Sequence, residues 1–119
     1  MFHFRKMMRS FRYALKGLGL IFKEEQSFRV QIIAALAVVA IMFILPVKNW
    51  EKVALILVIS WVLVLELINS ILERMVDILK PRVHLGVEAI KDIMAAAVFI
   101  ASLTALIIGL IIFIPYVQP

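Results

Sequence analysis

Apolar residues run along this chain in three long blocks separated by short polar breaks. The first block, residues 30–47, lies between Arg29 and Lys48 and carries no charge. The second, residues 53–72, carries a single acid, Glu66, and the third, residues 93–116, carries none. A helix needs about 20 predominantly apolar residues to cross the hydrocarbon core of a bilayer, so each block predicts a transmembrane helix. Pro46 and Asn49 mark a short turn between the first two blocks. Pro81 and Gly86 break the longer link to the third, which Pro115 ends.

Residues 1–28 follow a different pattern. Phe4, Met7, Met8, Phe11, Leu15 and Leu18 recur mostly three and four apart, with Arg5, Arg9, Arg12 and Lys16 falling largely between them. Such a segment reads as an amphipathic helix lying in the membrane interface. The predicted architecture is an all-α membrane protein, one domain over residues 1–119, with an interfacial helix followed by three spans.

Composition agrees. The chain is 65% hydrophobic, above the roughly 45–50% of soluble domains, and its mean hydropathy is +1.08. The absence of cysteine excludes disulfides and thiolate metal sites. His3 and His84 stand too far apart to form a zinc motif. The basic N-terminal segment lacks the compact apolar run and small-residue cleavage site of a signal peptide.

The net charge of +5 finds its use in orientation rather than in nucleic-acid binding. Arg5, Lys6, Arg9, Arg12, Lys16, Lys23 and Arg29 precede the first block, and Arg74, Lys80, Arg82 and Lys91 surround the second link. Only Lys48 and Lys52 occupy the first loop. The positive-inside rule then predicts that the N-terminus and second link are cytoplasmic, with the first loop and C-terminus outside.

The acids carry the functional signal. Glu51 alone belongs to the outer loop, whereas Glu24, Glu25, Glu66, Glu73, Asp77, Glu88 and Asp92 fall on or near the cytoplasmic side. Glu66, Asn69, Glu73 and Asp77 follow one another at spacings of three, four and four, a single helical stripe with Ser70 beside it. An ionisable group near the bilayer centre costs about 2.5–3.5 kcal/mol on insertion scales. One such Glu can be explained by a packing partner on another helix. Three acids with an amide on one stripe repel each other as well, and a hard divalent cation relieves that repulsion.

Carboxylate oxygens with water and phosphate oxygens make the usual magnesium environment, and Glu73 and Glu25 are the candidate ligands. Lys91 offers a point charge for phosphate. With Asp92 it opens the third block, where the first amides of a helix would add a favourable dipole. Metal, phosphate-binding base and deep carboxylate together form the parts of a phosphoryl-transfer site. A transporter would place its acid near the midplane with access from both sides. A purely structural partner would have no need of this alignment.

The same residues carry a family resemblance. The run Glu66-Leu-Ile-Asn69-Ser70-Ile-Leu-Glu73-Arg-Met-Val-Asp77 resembles the signature of the prokaryotic diacylglycerol kinases. Lys91-Asp92 with Ala95-Ala96-Ala97-Val98, Tyr13-Ala-Leu-Lys16-Gly17-Leu18 and Glu25-Gln-Ser-Phe28-Arg29 are similar to three further segments of that family, in order and without a gap. The resemblance covers about residues 6–100. It implies a homotrimer with composite active sites in a bacterial inner membrane, transferring the ATP γ-phosphate to diacylglycerol or to undecaprenol.

Carried over, Glu66 would be the general base on the lipid hydroxyl, with Asn69 beside it in the catalytic set. Glu25 and Glu73 would hold Mg2+. Tyr13, Lys16, His84, Lys91 and Asp92 would help hold ATP, and Asp77 would order the same region. Read alone, His84 is an ordinary loop histidine, Trp50 an interfacial anchor, and Ala95-Ala96-Ala97 a surface for close helix packing. The chain departs from the diacylglycerol enzymes at Gln31 and Leu85, where they have acids, and at Met94-Ala95, where they have Gly-Ser. These positions bear on the lipid substrate rather than on the chemistry.

Overall fold

The structure, a computed structural model, describes residues 3–79 and 84–118, and their side chains apart from those of His84 and Leu85. Four helices follow one another: α1 (Phe4–Glu24), α2 (Gln26–Ile44), α3 (Asn49–Leu79) and α4 (His84–Val117). The last three are long and apolar enough to cross a bilayer. α3 packs chiefly on α4 and less extensively on α2, while α1 touches α2.

α1 ends where Glu25 adopts an extended backbone (φ −110°, ψ 110°), so the amphipathic helix is shorter than the predicted 1–28 and Gln26 already begins α2. The elbow has a side-chain cap. Arg29 Nη1 donates to the carbonyls of Phe22 (3.0 Å) and Lys23 (2.8 Å), two of the acceptors that the last turn of a helix leaves free. Ile21 and Phe28 are buried on either side of this bend. The apolar face of α1, including Phe4, Met7, Phe11 and Leu15, is exposed.

The opposite end of the bundle is fixed by a small core of Met42, Val47, Leu55 and Ile112. Glu51 accepts a hydrogen bond from the Lys48 amide at 2.8 Å, three residues back, as the acidic half of a capping box does. The Tyr116 hydroxyl donates to the same carboxylate and ties the end of α4 to the start of α3. Pro115 does not stop α4, which continues to Val117. A proline this close to a C-terminus removes little of the ladder, and the Gln118 amide still reaches the Ile114 carbonyl at 3.2 Å.

The helices also run on past their apolar blocks. At about 1.5 Å per residue, α3 with its 31 residues and α4 with its 34 exceed the roughly 30 Å of hydrocarbon. Gly86 therefore sits inside α4 rather than in the link, and Lys91 and Asp92 lie two turns into that helix. Charge marks where a span leaves the apolar region, but the backbone stays helical beyond it. The predicted contribution of free helix amides at Lys91 is thus corrected: those amides belong to the first turn after His84. Pro81 falls outside the described residues.

Candidate active site

α3 places its acidic stripe as periodicity requires. Glu66 and Ser70 are buried at 3% exposure each, Asn69 and Glu73 are half-buried, and Asp77 is exposed. The stripe thus climbs from the packed interior of the bundle to open surface within three turns. Glu66, the deepest acid, accepts a hydrogen bond from Ser27 Oγ at 2.9 Å. Ser27 is two residues past the elbow at Glu25, so the bend between α1 and α2 sets a hydroxyl against the carboxylate.

Further out, Asn69 Nδ2 makes a long contact of 3.5 Å with Glu73 Oε1, leaving the other Glu73 oxygen free of side-chain partners among the described residues. Arg74, beyond the apolar stretch of α3, pairs with Glu24 at the end of α1. Its guanidinium is held above its ordinary pKa first by the hydrogen bond to Glu24, with smaller help from the charges of Glu24 and Glu25 against the opposing effect of desolvation. Glu25 therefore lies within electrostatic reach of Arg74, next to Glu73 in the chain. Lys91 Nζ meets Asp77 Oδ1 at 3.2 Å, joining α4 to α3. That pair is partly exposed, and ion pairs of this kind contribute about 0–1 kcal/mol, so it holds Lys91 only weakly.

Glu66, Asn69, Glu73, Asp77, Lys91 and Glu25 are thus gathered at one end of the bundle. Tyr13 and Lys16 are exposed on α1, and among the described residues no side-chain hydrogen bond connects them to the stripe. Asp92 is exposed on α4. The His84 side chain lies outside those described. Among the described residues no three His, Cys, Asp or Glu side chains converge as a metal cluster.

Ser27 has no functional reading from sequence alone, because its partner is 39 positions away. Removing its hydroxyl leaves a buried carboxylate short of a donor. A hydrogen bond to a charged group is worth about 1.5–3 kcal/mol. Ser27→Ala is therefore expected to lower kcat about tenfold or more, with the KM for MgATP little changed, in a steady-state assay of phosphate transfer. An unaltered kcat would show that the contact only holds α2 to α3.

The profile of the prokaryotic diacylglycerol kinase family matches residues 12–113. Undecaprenol kinase of Bacillus subtilis (strain 168) is 32% identical over 110 residues, 92% of this chain and 89% of that protein. Diacylglycerol kinase of Escherichia coli (strain K12) is 33% identical over 104 residues, 87% of this chain and 85% of that one. Diacylglycerol kinase of Synechocystis is 32% identical over 107 residues, 89% of this chain but 61% of the longer relative. An α-helical chain with three membrane-capable helices and a carboxylate stripe at one end has the parts of a lipid kinase, an enzyme that takes a nucleotide as phosphate donor. The chain belongs to the prokaryotic diacylglycerol kinase family.

Proposed function

We propose that the chain transfers the γ-phosphate of MgATP to the primary hydroxyl of diacylglycerol, giving phosphatidic acid, at the cytoplasmic face of a bacterial inner membrane. The observation that carries this reading is Glu66: a carboxylate 3% exposed, oriented by Ser27, at the inner end of a polar stripe that opens to water. The lipid presents its hydroxyl from the apolar side and the nucleotide its phosphates from the aqueous side. Glu66 accepts the hydroxyl proton as the lipid oxygen bonds to the γ-phosphorus and the bond to the ADP oxygen breaks.

Glu25 and Glu73 would hold Mg2+, which supplies charge neutralisation at the phosphates. Lys91, released from Asp77, adds a cation beside them. Tyr13, Lys16, His84 and Asp92 complete the nucleotide's surroundings. α1 lies on the membrane surface with its exposed apolar face in the acyl boundary and its basic face toward the headgroups. Three chains form the enzyme. Each leaves most of its apolar surface uncovered, which is consistent with sites completed between subunits.

Undecaprenol is the second reading, favoured by the Bacillus subtilis relative, an undecaprenol kinase that matches over 92% of the chain. Transfer of labelled γ-phosphate in mixed micelles, with both lipids offered in parallel, separates them. Labelled phosphatidic acid from diacylglycerol is the expected product. Label on undecaprenol alone would replace the substrate and leave the mechanism. Label on neither, with magnesium and folded protein present, would overturn both.

A further inference from the structure

Below Glu66, helices α2, α3 and α4 line a partly open groove of about 260 Å3. Its walls are aliphatic or small except at two side chains, Gln31 and Ser102. Gln31 Nε2 donates to Ser102 Oγ at 3.2 Å, joining α2 to α4. Gln31 lies four residues past Ser27 on the same face of α2, about 6 Å along the axis, and the lining residues Val62 and Leu63 lie one turn before Glu66 on α3. The polar pair therefore stands at the end of the groove nearest Glu66, one helical turn deeper than the Ser27–Glu66 hydrogen bond.

That bond uses one of the two amide hydrogens of Gln31. Among the described residues the Gln31 carbonyl has no partner, and it is not sealed off, because no buried side-chain polar atom lacks one. A polar group on a lipid-facing wall is costly unless something polar meets it. We propose that Gln31 and Ser102 determine lipid specificity by hydrogen bonding the ester linkage of a glycerolipid whose hydroxyl is at Glu66. This rests on the diacylglycerol reading above.

In diacylglycerol the first ester is carried by the carbon adjoining the hydroxymethyl group. With the hydroxyl at Glu66, the esters fall about one turn deeper, at the height of the pair. An acyl chain then continues between Ala34, Ala35 and Gly109, where small side chains leave it room. From Gln31 to Val38 the groove runs about 10 Å, enough for the first part of that chain. A polyprenol has hydrocarbon directly behind its hydroxyl and would set that hydrocarbon against the amide. A hydrogen bond that merely joins two helices in lipid would serve every substrate equally, and this difference can be measured.

The test compares kcat/KM for a short-chain diacylglycerol, its dialkyl ether analogue lacking ester carbonyls, and a short polyprenol. Wild type is assayed beside Gln31→Leu and Ser102→Ala. The wild-type enzyme is expected to favour ester over ether about tenfold, the worth of one hydrogen bond. Gln31→Leu should bring the ratio close to one while still phosphorylating the ether lipid. A ratio does not depend on the fraction of folded enzyme, and retained turnover of the ether lipid shows the variant to be folded. An unchanged ratio in Gln31→Leu, with diacylglycerol still phosphorylated, would overturn the specificity role and leave the substrate reading intact. Wild-type transfer to polyprenol but not to diacylglycerol would overturn both.

Discussion

Glu66→Gln is expected to lower phosphate transfer to the lipid by about 10²–10⁴-fold, the usual contribution of a positioned general base. The substitution keeps the volume of the side chain, and its amide oxygen can still accept from the Ser27 hydroxyl, which stands 2.9 Å from the carboxylate. What it removes is the capacity to take a proton. In water a nearby solvent molecule could substitute, but Glu66 is only 3% exposed, so no ready replacement base adjoins the hydroxyl. Binding of MgATP, followed with a fluorescent analogue, should change little, since the proposed function assigns the nucleotide to the outer part of the stripe. Loss of a charge that is costly to bury should leave the variant at least as stable as wild type. A variant that binds nucleotide normally and transfers phosphate at nearly the wild-type rate would remove Glu66 from the chemistry.

The acidic stripe is legible in the sequence because it lies within one helix. Glu66, Asn69, Glu73 and Asp77 share a face through spacing alone, and α3 runs unbroken through all four. The contacts that give the stripe its setting are not legible in that way. Ser27 meets Glu66 across 39 positions, Arg74 meets Glu24 across 50, and Gln31 meets Ser102 across 71. Helical periodicity contains no information at such separations. In the sequence Gln31 stands out only as an amide in place of an acid, and nothing there shows that it faces a hydroxyl on another helix.

The start of α4 escapes the sequence for a different reason. Charge records where the chain leaves hydrocarbon, whereas a helix continues until its backbone loses hydrogen-bond partners. His84 to Asp92 are helical although polar residues interrupt them. Lys91 consequently lies in a helix interior, and its pairing with Asp77 holds the amine at the level of the stripe.

Glu73→Gln should raise the magnesium concentration required for half-maximal activity by about 100-fold or more and lower activity at saturating magnesium. Two unit charges about 4 Å apart interact by about 4 kcal/mol at an effective dielectric of 20, and part of that is lost when one of two carboxylates becomes neutral. Gln can keep a contact with Asn69, which touches one Glu73 oxygen at 3.5 Å, so the helix itself should be unaffected. Glu73→Asp retains the charge one methylene short of its place and should fall between the two. Titrating magnesium at fixed ATP for the three proteins gives the comparison. Parallel assays of the lipid KM guard against a general loss of the site, since a misfolded end of α3 would weaken lipid and metal together. If the magnesium requirement stays put while Glu73→Gln loses activity, Glu73 serves Asn69 and the packing of α3 rather than the cation, and the metal must be held by other carboxylates such as Glu25 and Asp77.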